Sequence, residues 1–227
     1  KTKLILVNTP HNPTGRVFTM EEMQCIADLA IQHDLVVVTD EVYEHLVFDG
    51  AQHIAMASLP GMRARTLSIS SGGKTFNTTG WKVGWLCGPA PLVQAARTAK
   101  QFLTYVAGGP FQPAIALGLG LPDSFFHGIA TDLQAKRDRL LPGLVQAGFT
   151  VYPTSGTYFV TVDIRPLQPD GDGMAFCRAL PGHCRVVAIP NEVLYANKAA
   201  GRHLVRLAFC KRLDGLDEAV ARLRTLG

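Results

Sequence analysis

The chain has 227 residues, 47% of them hydrophobic, and a formal charge of +4 at pH 7. That is enough apolar material for a sizeable core in one or two domains, and the mild, dispersed charge, with no basic run interleaved with aromatics, speaks against nucleic acid. Five cysteines (Cys25, Cys87, Cys177, Cys184, Cys210) show no metal-ligand spacing, and most stand among apolar neighbours, which reads as reduced thiols of a cytoplasmic protein.

The chain begins at a lysine, directly before an apolar strand at residues 4–7 and without a signal peptide, so it reads as continuing from something longer. A turn-rich stretch, Asn8-Thr9-Pro10-His11-Asn12-Pro13-Thr14-Gly15, follows. Thr19 and Glu22 form a capping box, and Met23, Ile26, Ala27 and Ala30 give the next helix an apolar face. The continuous apolar run 35–38 is the kind of strand buried on both faces of a parallel sheet, and it ends in Thr39-Asp40-Glu41-Val42-Tyr43. A strand at 66–69 empties into a flexible corner, Ser70-Ser71-Gly72-Gly73, which presents Lys74. A strand at 83–87 and a helix at about 91–105 complete an α/β pattern with a mostly parallel sheet.

Residues 102–122 carry no charge and are long enough to raise a membrane helix, but Pro110, Pro113 and four glycines argue for a loop and a short buried helix instead. A long amphipathic helix, 124–146, then uses Phe125, Ile129, Leu133, Leu140 and Leu144 as its apolar positions. Strands at 149–152, 157–162, 185–189 and 203–209, a helix at 174–180 and a last helix carrying Leu213, Leu216, Val220 and Leu223 make the second half. The domain boundary falls near residue 122, giving units 1–122 and 123–227.

Polar residues cluster where strands end. Asn12, Asp40 with Tyr43, and Ser71 with Lys74 each follow the carboxyl end of a predicted strand, the edge at which open α/β sheets bind ligands. Taken singly each has a structural alternative: a turn residue, a helix cap, a core aromatic, a solvating lysine. Ser71-x-x-Lys74 also matches the acyl-transfer pair of penicillin-binding enzymes, but the Ser-Asp-Asn and Lys-Thr-Gly partners are absent. A third reading makes Lys74 a Schiff-base lysine for pyridoxal phosphate, since an amine in a partly dry pocket loses its proton more easily. In the second half, Arg206 is one charge inside the apolar strand Leu204-Val205-Arg206-Leu207-Ala208-Phe209. It reads either as a structural ion-pair member or as a two-pronged carboxylate ligand.

Asn12-Pro13-Thr14-Gly15, Asp40-x-x-Tyr43, Ser71-x-x-Lys74 and Gly80-Trp81-Lys82-Val83-Gly84-Trp85, in this order and spacing, resemble the class I/II aminotransferases of pyridoxal-phosphate fold type I. The nearest branch holds kynurenine aminotransferases and actinobacterial N-succinyldiaminopimelate aminotransferases; the 105–113 stretch looks most like the latter. The resemblance implies part of a large cofactor-binding domain followed by a small α+β domain, and a homodimer with no nucleic-acid or membrane partner. It implies that Lys74 holds the cofactor and moves the substrate proton, Asp40 pairs with the pyridine nitrogen, Tyr43 and Asn12 bond the ring oxygen, and Ser71 and Lys82 bind the phosphate. Most of the family has arginine at the Lys82 position, so the phosphate grip here leans on other donors. Arg206, with Asn12, would take the substrate α-carboxylate, and Tyr158 is either a pocket residue or a core one. The family also carries an amino-terminal part, with a ring-stacking aromatic and phosphate donors, which has no counterpart in these residues. The implied reaction moves an amino group from an amino acid to a 2-oxo acid such as 2-oxoglutarate. N-succinyl-LL-diaminopimelate is the leading donor and kynurenine or a cysteine conjugate (β-lyase side reaction) the alternative. A non-catalytic regulatory domain is the rival class, against which the joint presence of Lys74, Asp40, Tyr43 and Arg206 speaks.

Overall fold

The computed structural model describes residues 1–226, which fall into two compact units: residues 1–10 with 17–128, and residues 11–16 with 129 onward. The six-residue turn 11–16 thus belongs by its contacts to the second unit, which a single cut near residue 122 does not capture.

The first unit is a four-stranded sheet in the order β1 (Leu4–Asn8), β2 (Val36–Asp40), β3 (Thr66–Ser71), β4 (Gly84–Cys87). β1, β2 and β3 run parallel, and β4 returns antiparallel beside β3. The capping box at Thr19 and Glu22 opens α1 (Met20–Gln32), and both reciprocal bonds are made. Met23, Ala27 and Ala30 come round to one side of α1 at helical spacing. They pack with Val7, Leu35, Val37, Met56, Leu59 and Met62 on one face of the sheet. β2 is therefore buried at Val37 and Thr39 but only half-buried at Val36 and Val38, and Leu6 of β1 is 69% exposed. The expectation of a strand buried on both faces fails because α1 and the 56–62 segment cover the same side.

Beyond β3 come α2 (Gly72–Thr75), α3 (Ala90–Leu103) and α4 (Gln112–Leu119). The loop-then-helix reading of 102–122 has the right backbone, but α4 is not a buried helix: only Ile115 is buried, and Leu117 is 79% exposed. Among the described residues no helix is long and apolar enough to cross a membrane. Cys25 and Cys87 are exposed, Cys210 is half-buried and only Cys177 and Cys184 are buried, so apolar neighbours in sequence did not mean burial for most of the thiols.

α5 (Asp123–Gln146) carries the chain into the second unit, where Leu133, Leu140 and Leu144 are buried. Its sheet is antiparallel, in the order β5 (Thr150–Val151), β6 (Phe159–Asp163), β8 (Leu204–Ala208), β7 (Ile189–Pro190). α6 (Gly173–Cys184), α7 (Lys198–Gly201) and α8 (Leu213–Leu223) complete it. β6, an inner strand, is buried at all five positions. The strand expected at 185–189 shrinks to its last residue because α6 runs on to Cys184 and Arg185 then turns left-handed, at φ 57°.

Candidate functional site

In the first unit the carboxyl ends of the three parallel strands form one edge. Asp40 closes β2 in register with Asn8 on one side and Ile69 on the other. Its carbonyl accepts the Asn8 side-chain amide at 2.9 Å and the Thr9 N–H at 3.2 Å, which fixes the residue where the strand ends. The Asp40 carboxylate accepts the Val42 N–H at 3.4 Å. Tyr43, in the turn that follows, is 2% exposed.

At the end of β3, Ser71 caps α2: its hydroxyl accepts the Gly73 N–H at 3.2 Å and donates to the Val83 carbonyl at 3.3 Å. Neither Gly72 nor Gly73 has positive φ. They serve close approach, since a Cβ on Gly73 would stand 2.9 Å from Thr79 Cα. The Thr78 and Thr79 hydroxyls donate to the Gly72 and Gly73 carbonyls at 3.4 and 3.1 Å. The corner is therefore pinned, not flexible as glycine and serine content suggested. Lys74, in the last turn of α2, is half-buried, and its amine makes no hydrogen bond or ion pair among the described residues. Lys82 follows a one-turn 3-10 helix (Thr79–Trp81), is left-handed at φ 55° and exposed.

A buried acid next to Asp40 escaped the sequence reading. Glu41 is 4% exposed and accepts hydrogen bonds from Thr39 at 2.6 Å, His53 at 2.9 Å and Ser68 at 3.2 Å. Burial works to raise its pKa, but the bonds from His53, Thr39 and Ser68 and the nearby His53 charge outweigh it and hold the carboxyl below the ordinary glutamate range. Glu44 accepts the Ser70 hydroxyl at 2.6 Å, so β3 is fastened at alternate residues, Ser68 and Ser70, to the turn after β2. His45 stacks on Phe126 at 4.4 Å, and burial lowers its pKa.

The second unit holds Asn12 and Arg206 together. Arg206, half-buried on β8, donates through Nη1 to Asn12 Oδ1 and lies 4.0 Å over the Phe159 ring. The turn bearing Asn12 is closed by Gly15 N–H to the His11 carbonyl at 2.7 Å and His11 N–H to the Arg16 carbonyl at 2.8 Å. Gly15 has φ 69°, and a Cβ there would stand 2.5 Å from Thr154 Cγ2, so both backbone and packing demand glycine. Its carbonyl accepts the Ser155 N–H at 3.0 Å, and buried Arg137 donates to the Thr154 carbonyl at 2.7 Å, bracing the strip that grips the turn. His11 Nδ1 lies 2.7 Å from Thr14 Oγ1, and burial lowers the imidazole pKa. Tyr158 packs on Phe159 with ring centroids 4.4 Å apart.

The structure thus gathers Asp40, Tyr43, Ser71 and Lys74 at one sheet edge and brings Asn12 to Arg206 in the other unit; Lys82 stands at the entry to β4. The sequence reading missed Glu41, His53 and Arg137, for which the one available signal was an acid directly after an apolar strand.

The family model for aminotransferase class I and II matches residues 1–223. A probable N-succinyldiaminopimelate aminotransferase, DapC, of Mycobacterium tuberculosis is 50% identical over 235 residues, covering 100% of this chain and 59% of the relative. Kynurenine–oxoglutarate transaminase 3 of Mus musculus is 38% identical, covering 96% of this chain and 52% of that protein. The solved structure of the M. tuberculosis N-succinyldiaminopimelate aminotransferase superposes with a TM-score of 0.95 at 50% identity, again over 100% of this chain and 59% of that one. The chain therefore spans a little over half the length of the curated relatives it matches. Its fold is that of the pyridoxal-phosphate-dependent fold type I enzymes, and the chain belongs to the class I and II aminotransferases.

Proposed function

We propose that the protein is a pyridoxal-phosphate-dependent aminotransferase that moves an amino group from N-succinyl-LL-diaminopimelate to 2-oxoglutarate, and that Lys74, Asp40, Tyr43, Ser71, Lys82, Asn12 and Arg206 carry that chemistry. The observation that carries this reading is the half-buried Lys74 amine, without a hydrogen bond or ion pair among the described residues, on the sheet edge that also holds Asp40 and Tyr43. A carboxylate, a phenol, a hydroxyl and an unpartnered amine are the donor set that pyridoxal phosphate requires, so these residues fit the group.

When bound, pyridoxal phosphate supplies an aldehyde that condenses with amines and a ring that takes up the electron pair left at the α-carbon. Lys74 anchors the cofactor and then carries the proton to and from the substrate α-carbon. Asp40 holds a proton at the pyridine nitrogen by its charge. Its backbone, tied to Asn8 and Thr9, fixes the point of the sheet edge from which the carboxylate would reach the pyridine nitrogen. The Tyr43 hydroxyl and the Asn12 amide are donors for the ring oxygen, since the Asn12 oxygen is already taken by Arg206. Ser71 and Lys82 hold the phosphate. Ser71 would have to share a hydroxyl hydrogen that now goes to Val83 at a long 3.3 Å. Arg206, stacked on Phe159, binds the substrate α-carboxylate.

The 50% identity to the diaminopimelate enzyme, against 38% to the mouse kynurenine enzyme, supports the donor. Exposed Phe102 and Tyr105 favour an aromatic donor such as kynurenine as the second reading. The same exposed run, with Leu103 and Val106, supports a homodimer. The test is the ratio of specificity constants of the full-length enzyme for the two donors. A preference for kynurenine above about tenfold, roughly 1.4 kcal/mol in the transition state, would overturn the diaminopimelate assignment.

A further inference from the structure

The strand pair that carries Arg206 also carries a buried polar thread that the proposed reaction does not use. Thr161 lies opposite Arg206 in the β6–β8 ladder and is 3% exposed, between Val160 and Val162, which are fully buried. Its hydroxyl donates to the Pro13 carbonyl at 3.1 Å, across 148 residues of sequence. With its one hydrogen committed there, Thr161 Oγ1 can only accept from its other neighbour, and Asn191 Nδ2 lies 3.2 Å away. That fixes the orientation of the Asn191 amide. Asn191 is itself fully buried, and its Oδ1 is without a partner among the described residues.

Such a thread is costly in an apolar strand, where valine at 161 would pack as well without a polar group to satisfy. Simple fastening of the turn does not explain it, because the turn is already held at its far end by Ser155 N–H to the Gly15 carbonyl at 3.0 Å. The Thr161 bond acts at the other end, on the residue next to Asn12, whose oxygen receives the Arg206 guanidinium. We propose that Thr161 and Asn191 are positioning residues for carboxylate recognition, setting the place at which Asn12 meets Arg206 and hence the plane that the guanidinium offers to a substrate. The inference rests on the reading of Arg206 as the carboxylate ligand.

The test is calorimetric binding of 2-oxoglutarate to the full-length, cofactor-loaded protein, with cofactor affinity and thermal midpoint measured alongside. Thr161→Val should weaken 2-oxoglutarate about tenfold, the scale of one well-placed hydrogen bond, and leave cofactor affinity within about twofold. Thr161→Ser, which restores the hydroxyl, should recover binding. Should Thr161→Val not fold, Asn191→Leu, which keeps the Thr161–Pro13 bond but frees the threonine oxygen, is read the same way with a smaller loss. Arg206→Lys is the reference: if it binds as tightly as wild type, the carboxylate reading fails and this inference with it. If Arg206→Lys loses binding while Thr161→Val does not, or if serine fails to rescue, the inference alone is overturned.

Discussion

Replacing Glu41 by glutamine should weaken the folding of the first unit by about 2–3 kcal/mol. The Thr39 and Ser68 hydroxyls both donate to Oε1, so an amide oxygen in that place keeps them satisfied. The loss falls on Oε2, which lies 2.9 Å from His53 Nε2. An NH2 group there removes that acceptor: either an Nε2–H is left facing a donor, or the ring hydrogen sits on Nδ1, which is buried without a partner among the described residues, so one buried donor goes unpaired in either case. An unpaired buried donor costs about 1–3 kcal/mol, and exchanging a charged acceptor for a neutral one costs up to about 1 kcal/mol more. The effect has a pH signature. The folded carboxyl titrates below the ordinary glutamate value, so its stabilisation is complete above that value and is lost as pH falls through the folded pKa. Glutamine has nothing to lose there, so the two proteins should converge in stability on acidification. Denaturant unfolding followed by tryptophan fluorescence isolates the effect, since both tryptophans of the chain, Trp81 and Trp85, lie in the first unit. A cost under about 0.5 kcal/mol at neutral pH, or a difference that grows as the pH is lowered through the carboxylate range, would refute this reasoning.

Three further outcomes follow. Asp40→Asn should hold its thermal midpoint nearly unchanged, because the carboxylate's backbone bond is a long 3.4 Å, while transamination by the full-length enzyme falls on the order of a hundredfold; a wild-type rate would remove Asp40 from the site. Gly15→Ala should cost about 2–4 kcal/mol, from the left-handed backbone and the collision with Thr154, and a neutral effect in thermal unfolding would contradict the packing described. Burial pushes the Cys177 thiol up to about 12, so iodoacetamide at about pH 8 should label exposed Cys25 well before it, as peptide mass spectrometry can read; the reverse order would place Cys177 at the surface.

What could be read from sequence was local or periodic. The capping box at Thr19, the spacing of Met23, Ala27 and Ala30, and the lone charge of Arg206 in an apolar strand all announce themselves within a few residues. The residues that fasten the site are not local. Glu41 meets His53 from 12 residues away and Ser68 from 27, and Thr161 meets Pro13 from 148, so no short window contains both partners. Glycine content misled at Gly72-Gly73, where tolerance of unusual φ suggested flexibility but the structure uses the missing Cβ for close approach under two threonine hydroxyls. Hydrophobicity misled at α4, since an uncharged run says nothing of what covers it, and among the described residues little does.

The assignment of Lys74 is the centre of the proposal, and borohydride trapping tests it most directly. The full-length protein is incubated with pyridoxal phosphate, reduced and digested, and the pyridoxyl-bearing peptide is sequenced by mass spectrometry. The label should fall on Lys74 and be absent from a Lys74→Ala variant that still folds. A label on Lys82 or another lysine, or equal labelling of the variant, would contradict it.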